Sequence, residues 1–195
     1  MEIIAHRKNS ISELIMTDTS FGIEVDIRSY GQTLVTCHDP FINGENFRSW
    51  LSKYSHGTLI LNVKEEGLEE RVINLMKEFS IRHYFFLDQS FPFLVKWAKL
   101  GERNCAVRVS EYESVETVKR LAGKIDWVWV DCFTKFPITG EQASTLKKLG
   151  FKLCLVSPEL QGQEASIAIQ QLRSLLNTEN IEADAVCTKR PDLWY

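Results

Sequence analysis

Glu24 and Asp26 stand two residues apart in GIEVDIR (22–28), an alternating run that reads as a β-strand. Successive side chains on a strand leave on opposite faces, so the two carboxylates share one face while Val25 and Ile27 share the other. Two anions held side by side repel each other, and a fold keeps such a pair for a cation or for acid–base chemistry. His38 and Asp39 follow the next strand-like run, in GQTLVTCHDP (31–40), and His6 with Arg7 closes the first, IIAH (3–6). Imidazoles that titrate near neutral pH suit proton transfer. Arg28 ends the strand of Glu24 and Asp26, and later strand ends are polar as well: Asn62, Lys64 and Glu65; Asp88 and Ser90; Arg108, Ser110 and Glu111; Asp131; Ser157 and Glu159; Thr188 and Lys189. Each alone has a plain structural use, such as a rim ion pair between Arg108 and Glu111 or a helix cap by Asp131. Their recurrence at strand after strand points to one functional face.

The elements that must position these residues alternate along the chain. β-rich runs are predicted at 3–6, 22–28, 58–64, 83–88, 105–110, 126–133, 152–157 and 184–188, with an added hairpin arm at 33–37 after the Tyr30-Gly31 turn. Helical stripes lie between them: Phe47, Trp50, Leu51 and Tyr54; Leu68, Val72, Leu75, Met76 and Phe79; Leu94, Trp97 and Ala98; Val115, Val118 and Ala122; Ala165, Ile169, Leu172 and Leu176. A weaker candidate covers 10–17. Ser90 is placed to cap the helix that holds Pro92 in its first turn. Thr139 and Gln142 form a capping box for a helix that ends at Gly150.

Eight strands alternating with helices imply parallel pairing and right-handed crossovers, hence an α/β fold of the (β/α)8 TIM-barrel class in one domain, 1–195. The extra β-hairpin follows strand 2. The last helix is missing or reduced, because RPDLWY comes straight after the eighth strand. An open doubly wound sheet competes with this arrangement, but the Gly-rich phosphate turn expected there is absent.

Composition narrows the function classes. With 195 residues, 44% of them hydrophobic, the chain can bury a core without disulfides or a structural metal. A net charge of −3 argues against a nucleic-acid partner, which requires a basic face. No apolar stretch approaches the ~20 residues of a membrane span, and no apolar leader follows Met1. The five cysteines are scattered without a C-x-x-C pair and read as small buried hydrophobes in a reducing cytoplasm.

IIAHR, IEVDIR and VTCHDP, taken in order, resemble the glycerophosphodiester phosphodiesterase family, in which a His-Arg pair, a Glu-x-Asp pair and a His-Asp after a short hairpin occupy these places. LNVK, DQSFP and ADAVCTKRPDLW are similar to its later segments. The resemblance implies a (β/α)8 barrel that hydrolyses a small or lipid-derived phosphodiester with one divalent cation. His6 and His38 would be general acid and base, Glu24, Asp26 and Asn62 the metal ligands, and Arg7 and Lys64 phosphate contacts. Oxygen donors suit Mg²⁺ or Ca²⁺. A homodimer is among the expected assemblies.

Three departures from the family pattern stand out. Lys8 replaces the glycine after His-Arg, the Pro-Glu-Asn-Thr stretch is missing, and Asn62 stands where a third acidic ligand is expected. An amide oxygen ligates without charge, so weaker metal binding follows, unless Glu65 or Glu66 compensates. Loss of that acid also raises the alternative of a non-catalytic barrel that binds a phosphate ligand. Retention of both histidines argues for catalysis, because phosphate binding alone requires no acid and base.

Overall fold

The computed structural model describes all 195 residues, which divide into two compact units: residues 5–97, and residues 98–195 together with 1–4. The chain opens with β1 (Glu2–Ala5) and a short helix α1 (Ile11–Met16). In the unit 5–97, β2 (Gly22–Tyr30) runs antiparallel to β3 (Thr33–Thr36), and β3 in turn carries a two-residue β4 (Glu45–Asn46). The hairpin turns at Gly31, whose φ of +59° is open to glycine without strain. After α2 (Phe47–Leu51), β5 (Leu59–Val63) pairs parallel to β2 with Asp26 opposite Asn62. After α3 (Glu69–Glu78), β6 (Tyr84–Leu87) pairs parallel to β5. α4 (Phe91–Lys99) follows.

Strand β2 is buried along both faces. Ile23, Val25 and Ile27 are wholly buried on one, and Glu24 and Asp26 are wholly or almost wholly buried on the other. The α3 stripe buries Val72, Leu75 and Met76, as the 3.6-residue period requires.

In the second unit β7 (Ala106–Val109), α5 (Val115–Lys119), β8 (Trp127–Val130), α6 (Gly140–Lys148), β9 (Lys152–Val156), α7 (Ala165–Thr178) and β10 (Ala185–Thr188) alternate. The four strands pair in parallel and in sequence order. The Thr139–Gln142 capping box opens α6, and Gly150, at φ +90°, follows its end. After β10 comes one turn of 3₁₀ helix, Pro191–Leu193, the reduced last helix expected from the sequence. Trp194 is buried there, and its indole N–H donates to the Ser157 hydroxyl at 2.9 Å.

All eight main strands and the hairpin arm stand where the alternation puts them. One local reading changes. Ser90 does not cap α4: its backbone carbonyl accepts the first helical bond, from Leu94 N–H at 2.9 Å, while its hydroxyl is buried without a partner. The weak stretch 10–17 is a helix because Ser10 and Glu13 form a reciprocal capping box. Four of the cysteines are buried and all five are free thiols. No helix is long and apolar enough to cross a membrane.

Candidate active site

The site is assembled on the carboxylate face of β2 within the unit 5–97. The loop after β1 is laced onto that face. Arg7 takes a left-handed backbone, φ +51°, which costs a non-glycine residue about 1 kcal/mol or more. The turn aims its N–H at Glu24 Oε2, 2.7 Å away, and the next N–H, of Lys8, meets the Glu24 carbonyl at 2.9 Å. Asn9 then grips Asp26 twice: its Nδ2 donates to Asp26 Oδ2 at 2.8 Å, and its Oδ1 accepts the Asp26 N–H at 2.9 Å. Thr36 and Trp50 donate to the carbonyls of Asn9 and Lys8 at 2.6 and 2.9 Å. The strained turn is thus over-determined by its surroundings, a pattern common where side chains must be aimed.

From β5, Asn62 Nδ2 donates to Glu24 Oε1 at 2.8 Å. Lys64 Nζ lies 3.3 Å from both Asp26 Oδ1 and Asp88 Oδ2. Arg7 Nε is 3.4 Å from Asp26 Oδ2, and His6 Nε2 is 3.7 Å from Glu24 Oε2. Six of the seven residues singled out from the sequence therefore meet directly: His6, Arg7, Glu24, Asp26, Asn62 and Lys64.

His38 stands on the loop beyond β3 and makes no hydrogen bond or ion pair to those six side chains. Its ring Nδ1 pairs with Asp39 Oδ1 at 2.8 Å. That bond, followed by the charges of His38, Arg7 and Arg28, holds the Asp39 carboxyl below its ordinary range. An ionised Asp39 accepts, so His38 Nδ1 is the donor in this pair.

Burial dominates the electrostatics of the carboxylate pair. It pushes Glu24 up to about 7, with the neighbouring Asp26 charge acting in the same sense and the Asn62, Arg7 and Lys64 contacts opposing. No group of three or more His, Cys, Asp or Glu side chains is arranged to hold a metal. The oxygens that could serve are two carboxylates and an amide. Asn62 Oδ1 is buried with no hydrogen-bond partner, and Asp26 Oδ1 has only its ion pair with Lys64. An orphaned buried oxygen beside two crowded carboxylates is a donor set that fits one hard cation.

Beside Lys64 opens a cavity of about 290 Å³, walled by Glu65, Glu66, Glu69, Asp88, Gln89 and Ser90. Gln89 Oε1 and the Ser90 hydroxyl are without hydrogen-bond partners. The polar strand ends of the second unit carry structural bonds. Glu111 accepts the backbone N–H groups of Phe133, Thr134 and Lys135 rather than pairing with Arg108, which instead faces Asp131 at 3.3 Å. Asp131 also accepts from Gln161 at 2.7 Å, and Glu159 ties the β9 end to Thr188 and Lys189. Asn9 was not singled out from the sequence, whereas Arg28 and Asp39 were read there as polar strand ends without an assigned role.

No family model matches the chain, and no curated protein does. Solved structures do. A provisionally assigned glycerophosphoryl diester phosphodiesterase from Agrobacterium tumefaciens strain C58 superposes with a TM-score of 0.69 at 13% identity, over 98% of this chain and 94% of that one. A glycerophosphoryl diester phosphodiesterase from Parabacteroides distasonis gives 0.65 at 14% identity, covering 97% and 83%. A mutant tryptophan synthase α-subunit from Pyrococcus furiosus gives 0.60 at 10%, covering 96% and 86%. The chain therefore has the α/β fold, of the (β/α)8 class, expected from its strand–helix alternation, and shares it with proteins of more than one chemistry.

Proposed function

We propose that the chain is a divalent-metal-dependent phosphodiester hydrolase acting on a small or lipid-derived phosphodiester. The observation that carries this reading is the convergence of His6, Arg7, Glu24, Asp26, Asn62 and Lys64 on one buried face, with His38 poised on the adjoining loop. The likeness to phosphodiesterase structures agrees with it at the level of fold.

Glu24, Asp26 and Asn62 would hold one Mg²⁺ or Ca²⁺, which supplies charge neutralisation at the phosphoryl oxygens. Arg7 and Lys64 bring two fixed cations to the same phosphate, where a guanidinium fork and an ammonium replace the charge balance that water otherwise gives. Asp39 fixes the orientation of the His38 ring and the nitrogen that carries its proton, which leaves Nε2 to take or deliver one. His6 works beside Glu24, and the pair of imidazoles divides acid from base: one activates the attacking oxygen and the other protonates the departing alkoxide. Such transfers are each worth about 10²–10⁴ in rate. The 290 Å³ cavity beside Lys64 accommodates the alcohol portion. A cytoplasmic location and a homodimer remain part of the proposal.

Hydrolysis of bis(p-nitrophenyl) phosphate and of glycerophosphodiesters, with and without Mg²⁺ or Ca²⁺, tests the reading. Turnover that depends on the cation supports it. Tight phosphate binding without turnover, unchanged in His38→Ala, favours the non-catalytic phosphate-binding alternative, for which the missing third acid at Asn62 is the observation.

A further inference from the structure

Arg28 is the third side chain on the β2 face that carries Glu24 and Asp26, and the chemistry above assigns it nothing. Its guanidinium is mostly buried and its two hydrogen bonds both run to backbone carbonyls of site residues. Nε donates to the His38 carbonyl at 2.9 Å, and Nη1 donates to the Lys64 carbonyl at 3.3 Å. Nη1 also lies 3.5 Å from Glu65 Oε1, while Oε2 of the same Glu65 accepts the Ser29 N–H and hydroxyl at 3.2 and 2.6 Å. The fork is therefore locked from behind by a carboxylate that is itself bonded to the next residue of β2.

His38 needs such a restraint. The last ladder bond on its side is Cys37 N–H to the Asp26 carbonyl at 3.1 Å, and β3 itself ends at Thr36. Beyond that bond the residue is held only through its carbonyl, by Arg28, and through its ring, by Asp39. A surface ion pair would explain Glu65 but not two carbonyl acceptors on two separate loops.

We infer that Arg28 is a positioning residue: one planar guanidinium sets the His38 loop against the Lys64 loop, and so the acid–base imidazole against the phosphate-contacting amine. The inference rests on the roles proposed above for His38 and Lys64. Lysine reproduces only part of the restraint, because an ammonium is a point donor without the rigid fork that reaches two acceptors in fixed directions.

The test compares Arg28→Ala, Arg28→Gln and Arg28→Lys in the full chain. The first readout is the imidazole nitrogen signals of the four histidines, assigned by single substitutions. In Arg28→Ala the His38 signals are expected to move or broaden while those of His56 stay in place. In the same variant kcat/KM for bis(p-nitrophenyl) phosphate is expected to fall about 100-fold, the scale of an ångström-level misplacement, with partial recovery in Arg28→Lys. Unmoved His38 signals in a folded Arg28→Ala overturn the inference. If the alanine variant does not fold, the glutamine and lysine variants, which keep a donor, carry the same comparison. A wild-type chain that hydrolyses nothing counts against the proposed activity, whereas the imidazole signals still decide whether Arg28 holds the His38 loop.

Discussion

Replacing Asn62 by aspartate changes one atom group and should reverse sign with the cation. Asn62 Nδ2 donates to Glu24 Oε1 at 2.8 Å. Removing a hydrogen bond to a charged acceptor costs about 1.5–3 kcal/mol. A third carboxylate also meets Glu24 and Asp26, with Lys64 at 3.3 Å from Asp26 Oδ1 and Arg7 at 3.4 Å from Asp26 Oδ2 to offset it. At an effective dielectric near 20 that repulsion is worth up to about 4 kcal/mol, and uptake of a proton limits it. A net loss of about 3 kcal/mol follows, or roughly 6–12 °C in Tm for a chain of this size. With saturating Mg²⁺ or Ca²⁺ the added charge becomes a ligand, and tenfold tighter binding returns about 1.4 kcal/mol more than in the parent. Thermal melts in chelator and in each cation, with titration calorimetry for affinity, measure both arms. A variant as stable as the parent in chelator, or with no larger cation-induced shift, refutes the placement of Asn62 among the ligands.

Two further expectations follow from the structure. Glu24 sits at about 7 in the fold against 4.5 in a free side chain, so between those values the unfolded chain has released a proton that the fold retains. The metal-free protein should therefore lose stability as pH rises from about 4.5 to 7, by about 3 kcal/mol for this one group, and level off above; urea melts of the parent and Glu24→Gln test this, and an equal slope in both contradicts it. Deleting residues 193–195 removes the buried Trp194 and its bond to Ser157, together with the Leu193 carbonyl that accepts from Arg173. A loss of about 3–5 kcal/mol is expected, and an unchanged Tm would mean the indole contributes no packing.

The strand–helix alternation was legible because each main strand is a short apolar run with β-branched or aromatic residues, and each long helix repeats its apolar positions at 3.6 residues. The site was legible where two positions on one strand share a face, as Glu24 and Asp26 do, or where a strand ends polar, as at His6, Asn62 and Lys64. Asn9 went unread, and Arg28 was read only as a polar strand end, for a physical reason. Their partners lie 17 residues away at Asp26 for the one, and 10 and 36 residues away at His38 and Lys64 for the other, so only the folded chain reveals them. The rim pair expected of Arg108 and Glu111 failed similarly, since a carboxylate close to a run of unpaired N–H groups takes those donors instead of a neighbouring guanidinium. Ser90 looks like a cap by type, but its hydroxyl makes no hydrogen bond to the helix amides, and the residue stands beside the Lys64 cavity.

The most direct measurement is the rate of bis(p-nitrophenyl) phosphate hydrolysis by the parent, His6→Ala and His38→Ala, each with Mg²⁺ or Ca²⁺ and with chelator, alongside calorimetric cation binding. Cation-dependent turnover in the parent is expected, lost by at least about 10²-fold in either variant, with cation affinity and Tm nearly unchanged because the ligands are other residues. Turnover at the parental rate in either histidine variant, or turnover indifferent to chelator, would contradict the proposed chemistry.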